Sequence, residues 1–84
     1  MALVYRGNWF LFDTPEGVQQ QLMRAGLSYL KLNHIFISHF HGDHTLGLPG
    51  LLATMTSQER SSDLHIYGPR GIGEFVSLSV QLAD

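Results

Sequence analysis

Apolar and aromatic residues fill positions 3–5 and 9–12 and are interrupted at Gly7 and Asn8. This pattern predicts two strands, 3–6 and 9–12, joined by a two-residue Gly-Asn turn that supplies the positive φ angles of a tight hairpin. Asp13 ends the second strand. Thr14 is placed as an N-cap with Pro15 as the first helical residue, and Val18, Leu22 and Ala25 recur at helical spacing until Gly26 stops the helix. Residues 28–32 form a short connection of one helical turn. The run Ile35-Phe36-Ile37 marks a buried strand over 34–38, too short and too β-branched to favour a helix. A helix over 48–55 tolerates Pro49 in its first turn and leads into a polar loop over 56–63. A strand at 64–67 ends at Gly68-Pro69, and Ile72, Phe75, Val76, Ser79 and Val80 trace the stripe of a last helix. Hairpin, helix, strand, helix, strand, helix is an α/β order, and residues 1–84 make one domain.

Composition narrows the class. At 84 residues, 44% hydrophobic and 14% charged, the chain fits one small globular unit with a narrow stability margin. It has no cysteine, so disulfides and thiolate metal sites are excluded. No apolar run approaches a membrane span and no secretory layout opens the chain, so a soluble cytoplasmic protein is expected. Net charge is −2 and the basic residues Arg6, Arg24, Lys31, Arg60 and Arg70 are scattered, so no electrostatic footprint for nucleic acid is visible. The aromatic residues of the hairpin read as sheet packing, because they lack basic neighbours.

The chemistry concentrates in Ser38-His39-Phe40-His41-Gly42-Asp43-His44, which carries three of the five histidines in the order H-x-H-x-D-H. Imidazole and carboxylate donors suit zinc ahead of manganese or iron. His39 and His41, two apart in an extended segment, point to one side and close on one ion; Asp43 and His44 serve a second, with Gly42 turning the backbone between the pairs. Two adjacent ions are a device for hydrolysis, because they acidify a shared water and clamp the attacking and leaving oxygens. His34 and His65 lack such partners and read as packing residues. Thr54, Thr56 and Ser57 have no paired base and read as helix-end polar residues.

The loop, followed by Leu48-Pro49-Gly50-Leu51-Leu52, resembles the signature of the metallo-β-lactamase superfamily. Leu11-Phe12-Asp13-Thr14-Pro15-Glu16-Gly17-Val18-Gln19, Ile35-Phe36-Ile37-Ser38 and Ile66-Tyr67-Gly68-Pro69 are similar to the ribonuclease Z branch, from Leu3 to Val76. The resemblance implies a partial αββα sandwich and an endonuclease that trims the 3′ end of precursor tRNA with two zinc ions. His39, His41, Asp43 and His44 would be metal ligands, and Asp43 would also accept the proton of the attacking water. It implies a further histidine, a bridging aspartate and a last histidine later than this sequence extends. The chain would then be the N-terminal part of such an enzyme, exposing a face that favours association, as a homo-oligomer or with another partner, or partial unfolding. Asp13 would lie near the metal loop. The family's usual Cys-Gly after this aspartate is Thr14-Pro15 here, which should alter the turn and leave the ligands untouched. Alternatives are another hydrolase of this fold, acting on a lactone, sulfate ester, thioester or cyclic phosphodiester, and a catalytically silent half-domain acting through a partner chain.

Overall fold

The computed structural model describes residues 1–40, 42–57 and 63–83. Four strands, β1 (Ala2–Tyr5), β2 (Asn8–Phe12), β3 (His34–Phe36) and β4 (His65–Tyr67), form a single sheet in the order β1-β2-β3-β4. β1 is antiparallel to β2, and β2, β3 and β4 run parallel. The parallel pairs need crossovers: α1 (Val18–Arg24) links β2 to β3, while α2 (Gly42–Thr45) and α3 (Leu48–Ser57) lie between β3 and β4. α4 (Ile72–Ala83) follows β4. The α/β order expected from the sequence is therefore present.

Alternation along the strands decides which face is covered. Leu11 and Ile35, register partners in β2 and β3, are almost fully buried. They share the core with Val18 and Leu22 of α1 and with Leu48, Leu51, Leu52 and Met55 of α3. Each such side chain contributes about 1.5–3 kcal/mol on burial, so this cluster is the main source of stability. The opposite face carries two rows of rings. Phe10 stacks on His34 at 4.8 Å and His34 on His65 at 5.3 Å; Phe12 stacks on Phe36 at 5.2 Å and Phe36 on Tyr67 at 4.7 Å. His34 and His65 thus serve as rungs of a packed ladder.

Several local expectations are corrected. The hairpin turn is Arg6-Gly7, with φ angles of 49° and 80°, and not Gly7-Asn8. Both central positions of a type I′ turn need positive φ, and Asn8 is held in β2 because its Oδ1 accepts from Asn33 Nδ2 at 3.1 Å. Asn33 Oδ1 in turn accepts the Trp9 amide at 2.8 Å. α1 begins at Val18 behind Gly17, whose φ is 82°, and Thr14 makes no cap. Its amide and hydroxyl are already committed to a carbonyl 30 residues away. Ala25 lies exposed at the end of α1.

β3 stops at Phe36, although Ile37 still donates its amide to the Tyr67 carbonyl at 2.8 Å. β4 starts at His65, one residue later than expected. α3 runs two residues past position 55, and positions 58–62 of the expected loop lie outside the described residues. In α4, Ile72, Phe75, Val76 and Ser79 face inward, but Val80 is exposed. Gly42 opens the short helix α2, where an irregular turn was expected.

Candidate metal centre

Asp13 and Ser38 follow neighbouring parallel strands, so pairing brings them together at the carboxyl end of the sheet. The Asp13 amide donates to the Phe36 carbonyl at 2.7 Å, extending the ladder by one step before the chain turns away with Asp13 at φ 64°. Aspartate tolerates this left-handed region better than most residues. The twist aims its carboxylate at the start of the H-x-H-x-D-H loop. Asp13 Oδ1 accepts the Ser38 amide at 2.8 Å, and the Ser38 hydroxyl donates to Oδ1 and Oδ2 at 3.0 and 2.9 Å. Oδ2 also meets His44 Nδ1 at 2.9 Å.

The protonation pattern follows from this network. A hydroxyl has one proton, and Ser38 directs it to Asp13, so toward His39 Nδ1, 2.9 Å away, Ser38 Oγ acts as acceptor. His39 then carries its proton on Nδ1. His44 Nδ1, facing a carboxylate, carries its proton there as well. With Nδ1 of each ring engaged in this way, Nε2 is the ring nitrogen left to offer a lone pair to a metal. Burial pushes the Asp13 carboxyl up, but the Ser38 amide and hydroxyl and the facing His44 outweigh it and hold the group below its usual value. The carboxylate stays ionised, as the acceptor of this network must.

The rings of His39 and His44 converge, with centroids 3.9 Å apart and planes inclined by 51°. α2 carries His44 back over the strand ends, and Thr14 fixes its backbone: the Thr14 amide and hydroxyl both donate to the His44 carbonyl, at 2.7 and 3.1 Å. Of the four ligands read from the sequence, His39 and His44 are brought together, whereas His41 and the side chain of Asp43 lie outside the described residues. Among the described residues no group of three or more histidines, aspartates or glutamates is gathered closely enough to hold an ion. The donors present are nitrogen and oxygen, with Nδ1 of both imidazoles engaged and Nε2 the nitrogen that could ligate, and this chemistry fits zinc.

Sequence reasoning passed over Ser38 as part of a lead-in and assigned Thr14 to a helix. The available signal was positional: a serine just before the first histidine and an aspartate ending the preceding strand must meet if the two strands are parallel neighbours.

The family model described as Anti-Pycsar protein Apyc1 matches residues 1–78. The ribonuclease Z of Methanocaldococcus jannaschii is 45% identical over 82 residues, 98% of this chain and 26% of that protein. The ribonuclease Z of Methanosarcina acetivorans is 53% identical over 72 residues, 86% of this chain and 24% of that protein. The crystal structure of human tRNase Z, short form, superposes with a TM-score of 0.86 at 44% identity, covering 98% of this chain and 31% of that one. The chain therefore spans about a quarter of the length of these sequence relatives. No helix among the described residues is long and apolar enough to cross a membrane. The chain belongs to the family described as Anti-Pycsar protein Apyc1, and the likeness to the ribonuclease Z branch of the metallo-β-lactamase superfamily that its motifs led us to expect holds in both sequence and fold.

Proposed function

We propose that this chain supplies ligands for a zinc-dependent phosphodiesterase that removes the 3′ trailer of precursor tRNA. The observation that carries the reading is the pair of converging imidazoles, each with Nδ1 engaged by the Asp13–Ser38 network. His39 and His41 would hold one zinc, and Asp43 and His44 the other. Bound zinc supplies an acidified water and counter-charge for the phosphoryl oxygens. Asp13 and Ser38 would hold Nδ1 of His44 and His39, leaving Nε2 as the nitrogen that could ligate. In the reaction, the water oxygen bonds to phosphorus, Asp43 accepts the water's proton, and the bond to the tRNA 3′ oxygen breaks. That oxygen takes a proton from solvent and leaves as the 3′ hydroxyl, Asp43 later returning its proton to solvent, while the trailer keeps the 5′ phosphate.

The working site would be cytoplasmic, with precursor tRNA as partner and with association between copies through the ring-lined face of the sheet. A second reading, a hydrolase of the same fold acting on a cyclic phosphodiester or another small ester, is kept in view by the match to the model named for an Anti-Pycsar protein. A catalytically silent half-domain that acts through a partner chain is the third.

Metal analysis of the purified chain beside His41→Ala, with precursor-tRNA cleavage measured on the same samples, tests the proposal. Near-stoichiometric zinc that falls on mutation, together with trailer release, supports the proposal. Zinc without cleavage favours the silent half-domain, and equal, negligible metal in both proteins rejects the metal centre.

A further inference from the structure

Thr14 is fully buried, and its hydroxyl makes a bond unlike those of the helical hydroxyls. Thr54, Thr56 and Ser79 each donate to the carbonyl four residues back in their own helix. Such bonds are local and follow from helix geometry. Thr14 Oγ1 instead reaches 30 residues along the chain to the His44 carbonyl, 3.1 Å away, where the Thr14 amide also donates at 2.7 Å. The Thr14 carbonyl then accepts the Gly47 amide at 2.8 Å, so one residue grips the chain on both sides of Leu46.

This grip has a direct bearing on the His44 ring. Asp13 holds the ring through Nδ1, and the next residue holds the backbone of the same histidine. Side chain and main chain are thus fixed from two consecutive positions. A ring anchored at Nδ1 alone can still swing with its Cα; anchoring the carbonyl removes that freedom and sets where Nε2 points. We propose that Thr14 is a positioning residue for the metal centre, its hydroxyl fixing the His44 backbone so that the imidazole meets the cation in one orientation. The proposal rests on the metal-centre reading above. The hydroxyl is the informative group, because the amide bond survives any substitution that keeps the backbone.

Cobalt(II) titrated into the full chain, followed by its visible absorption, reads both affinity and ligand geometry, with far-UV circular dichroism as the folding control. Thr14→Ser keeps the hydroxyl and is expected to bind within about twofold of wild type, with unchanged bands. Thr14→Val keeps the shape and loses the donor; its affinity is expected to fall about 10-fold, the lower end for groups that orient a ligand, and its bands to shift. Wild-type affinity and bands in a folded Thr14→Val protein overturn the proposal. If that variant does not fold, Thr14→Ser and Thr14→Ala, which differ in the hydroxyl alone, carry the test: weaker binding and shifted bands in the alanine protein support the proposal, and equal binding overturns it. A wild-type chain that takes up no cobalt removes the metal reading and this role with it. Binding that is normal in wild type and untouched in every variant removes only the role of Thr14.

Discussion

At the residue scale, Asp13 is the hub of the site, since one carboxylate accepts from the Ser38 amide, the Ser38 hydroxyl and the His44 ring. Asp13→Asn separates its charge and acceptor roles from its backbone role, because asparagine also tolerates the left-handed conformation observed at φ 64°. The amide can still accept from Ser38 through its oxygen. It then presents an NH2 group to His44 Nδ1, which must become an acceptor, and the ring proton moves to Nε2, the nitrogen that would hold the proposed zinc. The fold should survive while zinc affinity falls by roughly 10–100-fold, as for other groups that orient a ligand. Calorimetric zinc titration measures the loss, and nitrogen-15 spectra of the imidazoles report the tautomer. An Asp13→Asn protein with wild-type affinity and an Nδ1-protonated His44 would show that the tautomer is fixed elsewhere.

At the scale of elements, the turn after β2 and the segment before α3 are pressed together at Gly47. A Cβ there would collide with the Pro15 carbonyl oxygen and stand 2.8 Å from Val18 Cγ1 and 2.9 Å from the Thr14 carbonyl oxygen. Two of these obstacles are backbone, so no rotamer change relieves them. Gly47→Ala should cost about 2 kcal/mol, in the range of other overpacked sites, and lower Tm by roughly 8–16 °C in a domain of this size. Thermal unfolding checks the first figure. Zinc affinity should fall as well, because the shift pulls on the Thr14 grip of His44, and an alanine protein melting with wild type would contradict the close approach. The same contact shows why some elements were readable in the sequence and others were not. β3, α3 and α4 declare themselves through local apolar pattern, and H-x-H-x-D-H declares its chemistry through spacing. Thr14 looked like a helix cap because Thr-Pro before an apolar stripe is a local signal for one. The competing partner, the His44 carbonyl, becomes a neighbour only after β2 and β3 pair. Asn8 misled in the same way, since Asn33, which holds it in the strand, lies 25 residues off.

For the whole molecule, the decisive feature is that helical packing covers one face of the sheet while the other presents rings. Phe10, Phe12, His34, Phe36, His65 and Tyr67 form two stacked rows without formal charge when the histidines are neutral, and Leu3, the register partner of Phe10, is exposed beside them. Two such faces can pack as aligned sheets do, about 10 Å apart, with no like charges opposed. A fully buried aromatic side chain contributes about 150–250 Å², and these are already partly covered by one another, so a face offers roughly 500–600 Å². That falls short of the ~800 Å² per partner typical of a stable complex. The association expected is therefore weak and reversible, with the weight-average mass in sedimentation equilibrium rising across the micromolar range. Phe36, between Phe12 and Tyr67, is the position at which a charge should be most damaging. Phe36→Glu would bury an unpaired carboxylate in any sheet-to-sheet contact, while in the single chain the side chain keeps access to solvent. The variant should sediment as a monomer with an unchanged far-UV spectrum. A wild-type mass that stays monomeric throughout, or a Phe36→Glu protein that associates as wild type does, would mean that copies of this chain do not meet through the ring-lined face.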